Sequence, residues 1–128
     1  MIVRTLDEIL DTDRDVRGPT FASRRLLLKK DGMGFSLHDT VMPAGTETTL
    51  WYANHLEAVY CIEGTGEIED LDNSETHQLA PGSLYALNGH EKHIVRIHTD
   101  MRFICVFNPP VTGGEVHGAD GSYPVMDD

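Results

Sequence analysis

The sequence predicts an all-β domain, a small barrel or sandwich with one short helix at its start. Three observations carry this. Short runs of strand length, rich in Val, Ile, Leu, Phe and Tyr, follow one another along the chain. Gly, Pro, Asn and Asp separate them. Between them lies no stretch with the 3.6-residue period of a helix. With 128 residues and 40% hydrophobic content, the chain has material for one core and one domain, residues 1–128.

The elements follow in order. In "TLDEILD", Thr5 is placed to cap a helix and Glu8 stands three residues on, so a short helix is expected there. Strands are then expected over 21–29 "FASRRLLLK", 35–42 "FSLHDTVM", 48–54 "TTLWYAN" and 57–70 "EAVYCIEGTGEIED". The last of these is expected to bend or turn at Gly64 and Gly66. Further strands are expected over 76–80 "THQLA", 82–87 "GSLYAL", 93–98 "HIVRIH" and 101–109 "MRFICVFNP". The remainder, about 108–128, is rich in Pro and Gly and reads as a C-terminal lid ending in a mobile tail.

Charge narrows the class of partner. A net charge of −11 disfavours nucleic acid and anionic membrane surfaces. No apolar run approaches membrane-spanning length. The N-terminal "MIVRTLDEIL" lacks the pattern of a signal peptide. Cys61 and Cys105 each lie inside an apolar run and read as buried free thiols, which fits a reducing, cytoplasmic setting.

Alternation then points to a site. Counting by twos from Glu57 puts Val59, Cys61 and Glu63 on its face. That face therefore carries a carboxylate at each end, and a buried carboxylate is costly unless it is paired or bound to a metal. Tyr85 shares a face with Ser83 and Leu87, and His93 with Val95 and Ile97. Both faces are largely apolar, so Tyr85 and His93 are expected to point inward as Glu57 does. Either these three form a hydrogen-bonded polar group in the core or they hold a metal. His77, His90 and His98 read as surface residues, and "EIEDLDNSE" as a solvated turn. Trp51 reads as packing or interface.

The spacing from Glu57 through "AVYCIE" to Gly64 resembles the first motif of the cupin superfamily, and Gly82 to His93 resembles the second. A small cupin-type, jelly roll-like β-barrel is the implied fold. The chain departs from the pattern in several places. The two first-motif histidines would fall near Trp51 and Ala53, neither of which binds metal. Asn88 stands where Pro is usual and His90 where Gly is usual. Only Glu57 and His93 remain as ligands of the usual pattern, and Tyr85 is the best-placed third. A phenolate is a hard oxygen donor that suits iron.

A longer resemblance covers nearly the whole chain. "SRRLLLKKDG", "GMGFSLHDT", "AGTETTLWYANHLEAVYCIEGTGEIED", "GSLYALNGHEKH" and "RFICVFNPPVTGGEVH" are similar to the ectoine synthase family. This implies a cytoplasmic homodimer with an iron cofactor, Fe(II). Its small-molecule substrate would be N-γ-acetyl-L-2,4-diaminobutyrate, closed with loss of water to ectoine, a compatible solute. The resemblance puts the iron on Glu57, Tyr85 and His93. It puts substrate contacts on Phe21, Arg25, His38, Thr40, Tyr52, Cys105 and Phe107, with Phe21 where the family usually has Trp. It puts His55, Glu63, Glu115 and His117 at the substrate too.

The chemistry asks for such groups. An amine must attack an amide carbonyl within the same molecule, and water must leave. A general base and a general acid both help. Glu63, Glu115, His55 and His117 are the candidates, and the sequence does not assign their roles. Arg25 suits a substrate carboxylate, provided its strand turns it inward. Another small metal-dependent cupin enzyme, or a non-enzymatic cupin that binds a small molecule, is the alternative reading.

Overall fold

The computed structural model describes residues 1–113. A one-turn helix, α1 (Leu6–Ile9), opens the chain, and the Thr5 hydroxyl accepts the Glu8 amide at 3.4 Å. Its Ile9 is buried against the body of the domain. Ten strands follow: β1 (Asp15–Arg17), β2 (Ala22–Leu27), β3 (Ser36–Met42), β4 (Glu47–Leu50), β5 (Leu56–Glu63), β6 (Gly66–Asp70), β7 (Glu75–Leu79), β8 (Leu84–Leu87), β9 (His93–Ile97) and β10 (Met101–Asn108). Among the described residues, no helix is long and apolar enough to cross a membrane.

The strands form two antiparallel sheets that face each other. One has the order β1-β2-β3-β10-β5-β8, the other β4-β9-β6-β7. Alternation sets which side chains enter the space between them. Along β10, Met101, Phe103, Cys105 and Phe107 are buried while the residues between them are not. Along β9 the buried set is His93, Val95 and Ile97. Val59, Ile68, Leu79 and Leu87 complete the core. Each large apolar side chain buried there stabilises the fold by about 1.5–3 kcal/mol.

On the outer side of the six-stranded sheet, Asp39 joins three strands. It takes Arg24 from β2 and Arg102 from β10, each at 2.6 Å. Burial raises the Asp39 pKa, but the two guanidiniums outweigh it and hold the carboxyl below its usual range.

Several expected boundaries shift. The segment expected as a strand over 48–54 pairs only as far as Leu50; residues 51–55 form a loop. The run 57–70 is two strands, β5 and β6, in different sheets. Gly64 makes that change of sheet. Its φ is 85°, and a Cβ there would collide with the backbone of Asp100 and Met101. β1 escapes prediction because "DVR" is too short and polar to show alternation.

The chain after β10 does not leave the domain at residue 108. Val111 is fully buried, its amide donates to the Ser36 hydroxyl at 3.0 Å, and its carbonyl accepts from Lys29 at 2.9 Å. The rest of the expected lid and tail, from residue 114, lies outside the described residues.

Candidate active site

Antiparallel register puts the candidate residues on one wall. Directly paired residues point to the same side of a sheet. Val59 pairs with Tyr85 and Glu57 with Leu87. Phe107 pairs with Glu57 and Cys105 with Val59. On the far side of β10, Cys105 pairs with His38 and Phe103 with Thr40. Arg25 then pairs with His38 and Ser23 with Thr40. Five strands thus present one polar row to the space between the sheets. A cavity opens there, walled by Phe21, His38, Thr40, Tyr52, Glu57, Tyr85, Cys105 and Phe107 together with apolar residues.

Arg25 is 1% exposed and points to this inner side. Its inward turn does not depend on Leu27, because the register of β2 slips between Arg25 and Leu27. His55 is also buried, with its ring edge-on to Phe107 at 5.9 Å between centroids. His93 lies on the opposing sheet and borders a second hollow beside the first. Tyr85 lines both hollows, and its ring lies 6.2 Å from that of His93.

Glu63 is a correction. Strict alternation places it inward with Glu57, yet its side chain is 65% exposed. The cause is a β-bulge. Phe103 faces Cys61 but Arg102 faces Glu63, so Ile62 is the extra residue. One inserted residue reverses the facing of the next. Glu63 therefore points outward toward Arg102, at 3.8 Å, and lies outside the cavity. Glu115 and His117 lie outside the described residues. Of the four expected acid–base groups, His55 is the one the described chain buries next to the cavity, packed on the wall residue Phe107.

The electrostatics of the inner groups follow from burial. Desolvation pushes Glu57 up to about 8, and a hydrogen bond from Cys105 offsets this only in part. Burial pushes the Tyr85 phenol well up as well, and a charge on Glu57 would push it further. Burial lowers His93, while the Glu91 carbonyl opposes the shift. His93 Nδ1 lies 3.1 Å from that carbonyl. A carbonyl can only accept, so Nδ1 carries the proton and Nε2 carries the lone pair. Nε2 is buried and has no hydrogen-bond partner among the described residues. This is the arrangement of a histidine prepared as a metal ligand, with its second nitrogen fixed by a backbone carbonyl.

His38 is different in kind. It is held between two hydroxyls, Ser23 at Nδ1 and Ser36 at Nε2, both at 3.1 Å. Burial first, then the nearby Arg25 charge, pushes its pKa well below the usual range, so it is neutral. Ser23 and Ser36 were not singled out by the sequence. Their spacing by twos from Arg25 and His38 was the available signal.

A buried carboxyl, the phenol of a half-buried tyrosine that faces the cavity and an imidazole lone pair without a partner among the described residues fit a bound cation. A positive ion would reverse the cost of ionising both oxygens. Among the described residues, no group of three or more His, Cys, Asp and Glu side chains could hold a metal. Tyr85, which lines the hollows of both Glu57 and His93, adds a phenol oxygen that lies outside those residue types.

Comparison with known proteins agrees with this architecture. The family model described as ectoine synthase matches residues 1–127. An L-ectoine synthase of Desulfatibacillum aliphaticivorans is 62% identical over 130 residues, covering 100% of both chains. The crystal structure of ectoine synthase from P. lautus is 59% identical and superposes with a TM-score of 0.90, covering 100% of this chain and 92% of that one. A Cupin_2 domain of an XRE-family transcriptional regulator from Enterobacter cloacae shares the fold alone. Its TM-score is 0.60 at 18% identity, over 71% of this chain and 98% of that one. The chain is a cupin-fold enzyme and belongs to the ectoine synthase family.

Proposed function

We propose that this chain closes N-γ-acetyl-L-2,4-diaminobutyrate to ectoine with iron(II) held by Glu57, Tyr85 and His93. The observation that carries the reading is the inward set of these three, with His93 Nε2 buried and without a hydrogen-bond partner. In the reaction the α-amino nitrogen bonds to the acetamide carbon. The carbon–oxygen bond then breaks, and the oxygen leaves as water.

When bound, iron(II) supplies a Lewis acid that makes a poor electrophile, the amide carbonyl, more reactive. The chain does the rest. Buried Arg25 provides a positive charge suited to the substrate carboxylate. Tyr52, Phe107 and Phe21 give apolar and aromatic walls against which the flexible diamine folds. Bringing its two ends together can contribute several kcal/mol. His38, kept neutral between Ser23 and Ser36, offers polarity without a competing charge. Among the four expected acid–base groups, His55, buried behind the wall residue Phe107, is the described candidate to accept or return a proton.

Two further attributes belong to the proposal. Two buried free thiols, Cys61 and Cys105, support a reducing cytoplasm. Exposed Leu56, Tyr60 and Leu84 on the outer face of β5 and β8 support a homodimer that covers them.

The test is to supply purified protein with iron(II) and N-γ-acetyl-diaminobutyrate and follow ring formation by NMR. Glu57→Ala, Tyr85→Ala and His93→Ala should each lose bound iron and lower the rate by about 100-fold or more. A variant that turns over normally after losing its iron would overturn the metal's role.

A further inference from the structure

His90 is exposed, in the loop between β8 and β9, and as a sequence feature it reads as a surface residue. Its backbone is left-handed, with φ 55°. Glycine would take that angle without strain, and His takes it at a cost. The imidazole therefore contributes something glycine could not.

What it contributes is a grip on the neighbouring loop. His90 Nδ1 lies 2.9 Å from the Tyr52 carbonyl and 3.1 Å from the His55 carbonyl. Carbonyls only accept, so Nδ1 is protonated and its single N–H is shared between both. The contact is also returned. The Trp51 indole N–H donates to the His90 carbonyl at 2.8 Å, and the Lys92 ammonium lies 4.5 Å from the centre of the Trp51 ring. Residues 90–92 thus hold residues 51–55, which no sheet pairing holds.

That segment carries Tyr52, which lines the cavity, and His55, which backs the wall residue Phe107. Tyr52 stands edge-on to Phe107 at 5.0 Å, and His55 does so at 5.9 Å. The same loop fixes His93 through the Glu91 carbonyl. It therefore ties side chains above one sheet to the imidazole of the other.

We infer that His90 is a positioning residue, whose Nδ1–H holds the Tyr52–His55 loop so that both side chains stand at the substrate. The inference rests on the ring-closing function proposed above. Its test uses His90→Gly and His90→Asn. The first relieves the backbone strain and removes the donor. The second keeps an N–H near the place of Nδ1 and tolerates the left-handed angle.

In His90→Gly, strain relief offsets the lost contacts, so the melting temperature should stay within about 4 °C of wild type. Its kcat/KM should nevertheless fall about 10-fold or more. Backbone amides of 52–55 should exchange about 10-fold faster. His90→Asn should recover kcat/KM to within about threefold of wild type. Normal turnover in His90→Gly, or no recovery in His90→Asn, would overturn the inference while leaving the proposed function standing. If wild type closes no ring, the functional reading fails instead. Hydrogen exchange then still decides the grip, because unchanged protection at 52–55 in His90→Gly sinks it.

Discussion

Glu57 shows how one buried group sets a condition on the whole protein. Without a cation its carboxyl is held at about 8 by burial, against 4.5 when free. Below about pH 4.5 both the folded and unfolded chains are protonated there, and Glu57 costs nothing. Between about 4.5 and 8 the unfolded chain releases the proton and the folded one keeps it. The contribution of Glu57 therefore falls as pH rises through that window, by at most about 1.4 kcal/mol per unit. His38 and His93, whose pKa values burial lowers, contribute stability that rises with pH up to about 6.5. Urea unfolding of metal-free protein across this range isolates the Glu57 part as a difference: stability should fall less, or rise more, with pH in Glu57→Gln than in wild type. Equal slopes in the two proteins would show that Glu57 is not buried as described. Cys105 works on the same residue from the next strand, since its thiol donates to Glu57 and approaches the Thr40 hydroxyl at 3.7 Å.

At the level of elements, the join between β5 and β6 decides the most. The bulge at Ile62 turns Glu63 outward, and Gly64 then carries the chain to the other sheet. Gly64→Ala would place a methyl group in the backbone of Asp100 and Met101 at a left-handed angle. The expected loss is about 3 kcal/mol or more, read as a fall in the urea midpoint, with misfolding as the extreme. A variant as stable as wild type would mean that β10 can retreat from the turn. The loop after β4 is the second decisive element. The cupin pattern would place metal-binding histidines near Trp51 and Ala53. Here the segment is fastened through hydrogen bonds to His90 instead.

Charge acts on the molecule as a whole. The chain has 21 acidic residues against 10 Lys and Arg. On the outer side of the four-stranded sheet, one guanidinium, Arg96, serves Glu47, Glu67 and Glu69, at 3.3, 3.2 and 2.8 Å. Such an excess repels itself when folding concentrates it. Raising ionic strength from about 0.01 to about 1 M shortens the screening length from roughly 30 to roughly 3 Å. The melting temperature should rise by about 4 °C or more across that range. A fall would show that pairs such as Arg102–Asp39 outweigh the repulsion. The sequence alone determined the β class, the cap at Thr5 and the inward turn of Glu57, Tyr85 and His93. All three rest on local alternation or local capping, which neighbouring residues encode. Resemblance to a family added Arg25, His38 and Phe107, which alternation left open. Only the tertiary structure decided that Glu63 faces out, that Ser23 and Ser36 hold His38, and that His90 grips the Tyr52 loop. Each depends on register or contact between segments far apart in the chain, and no local pattern carries that information.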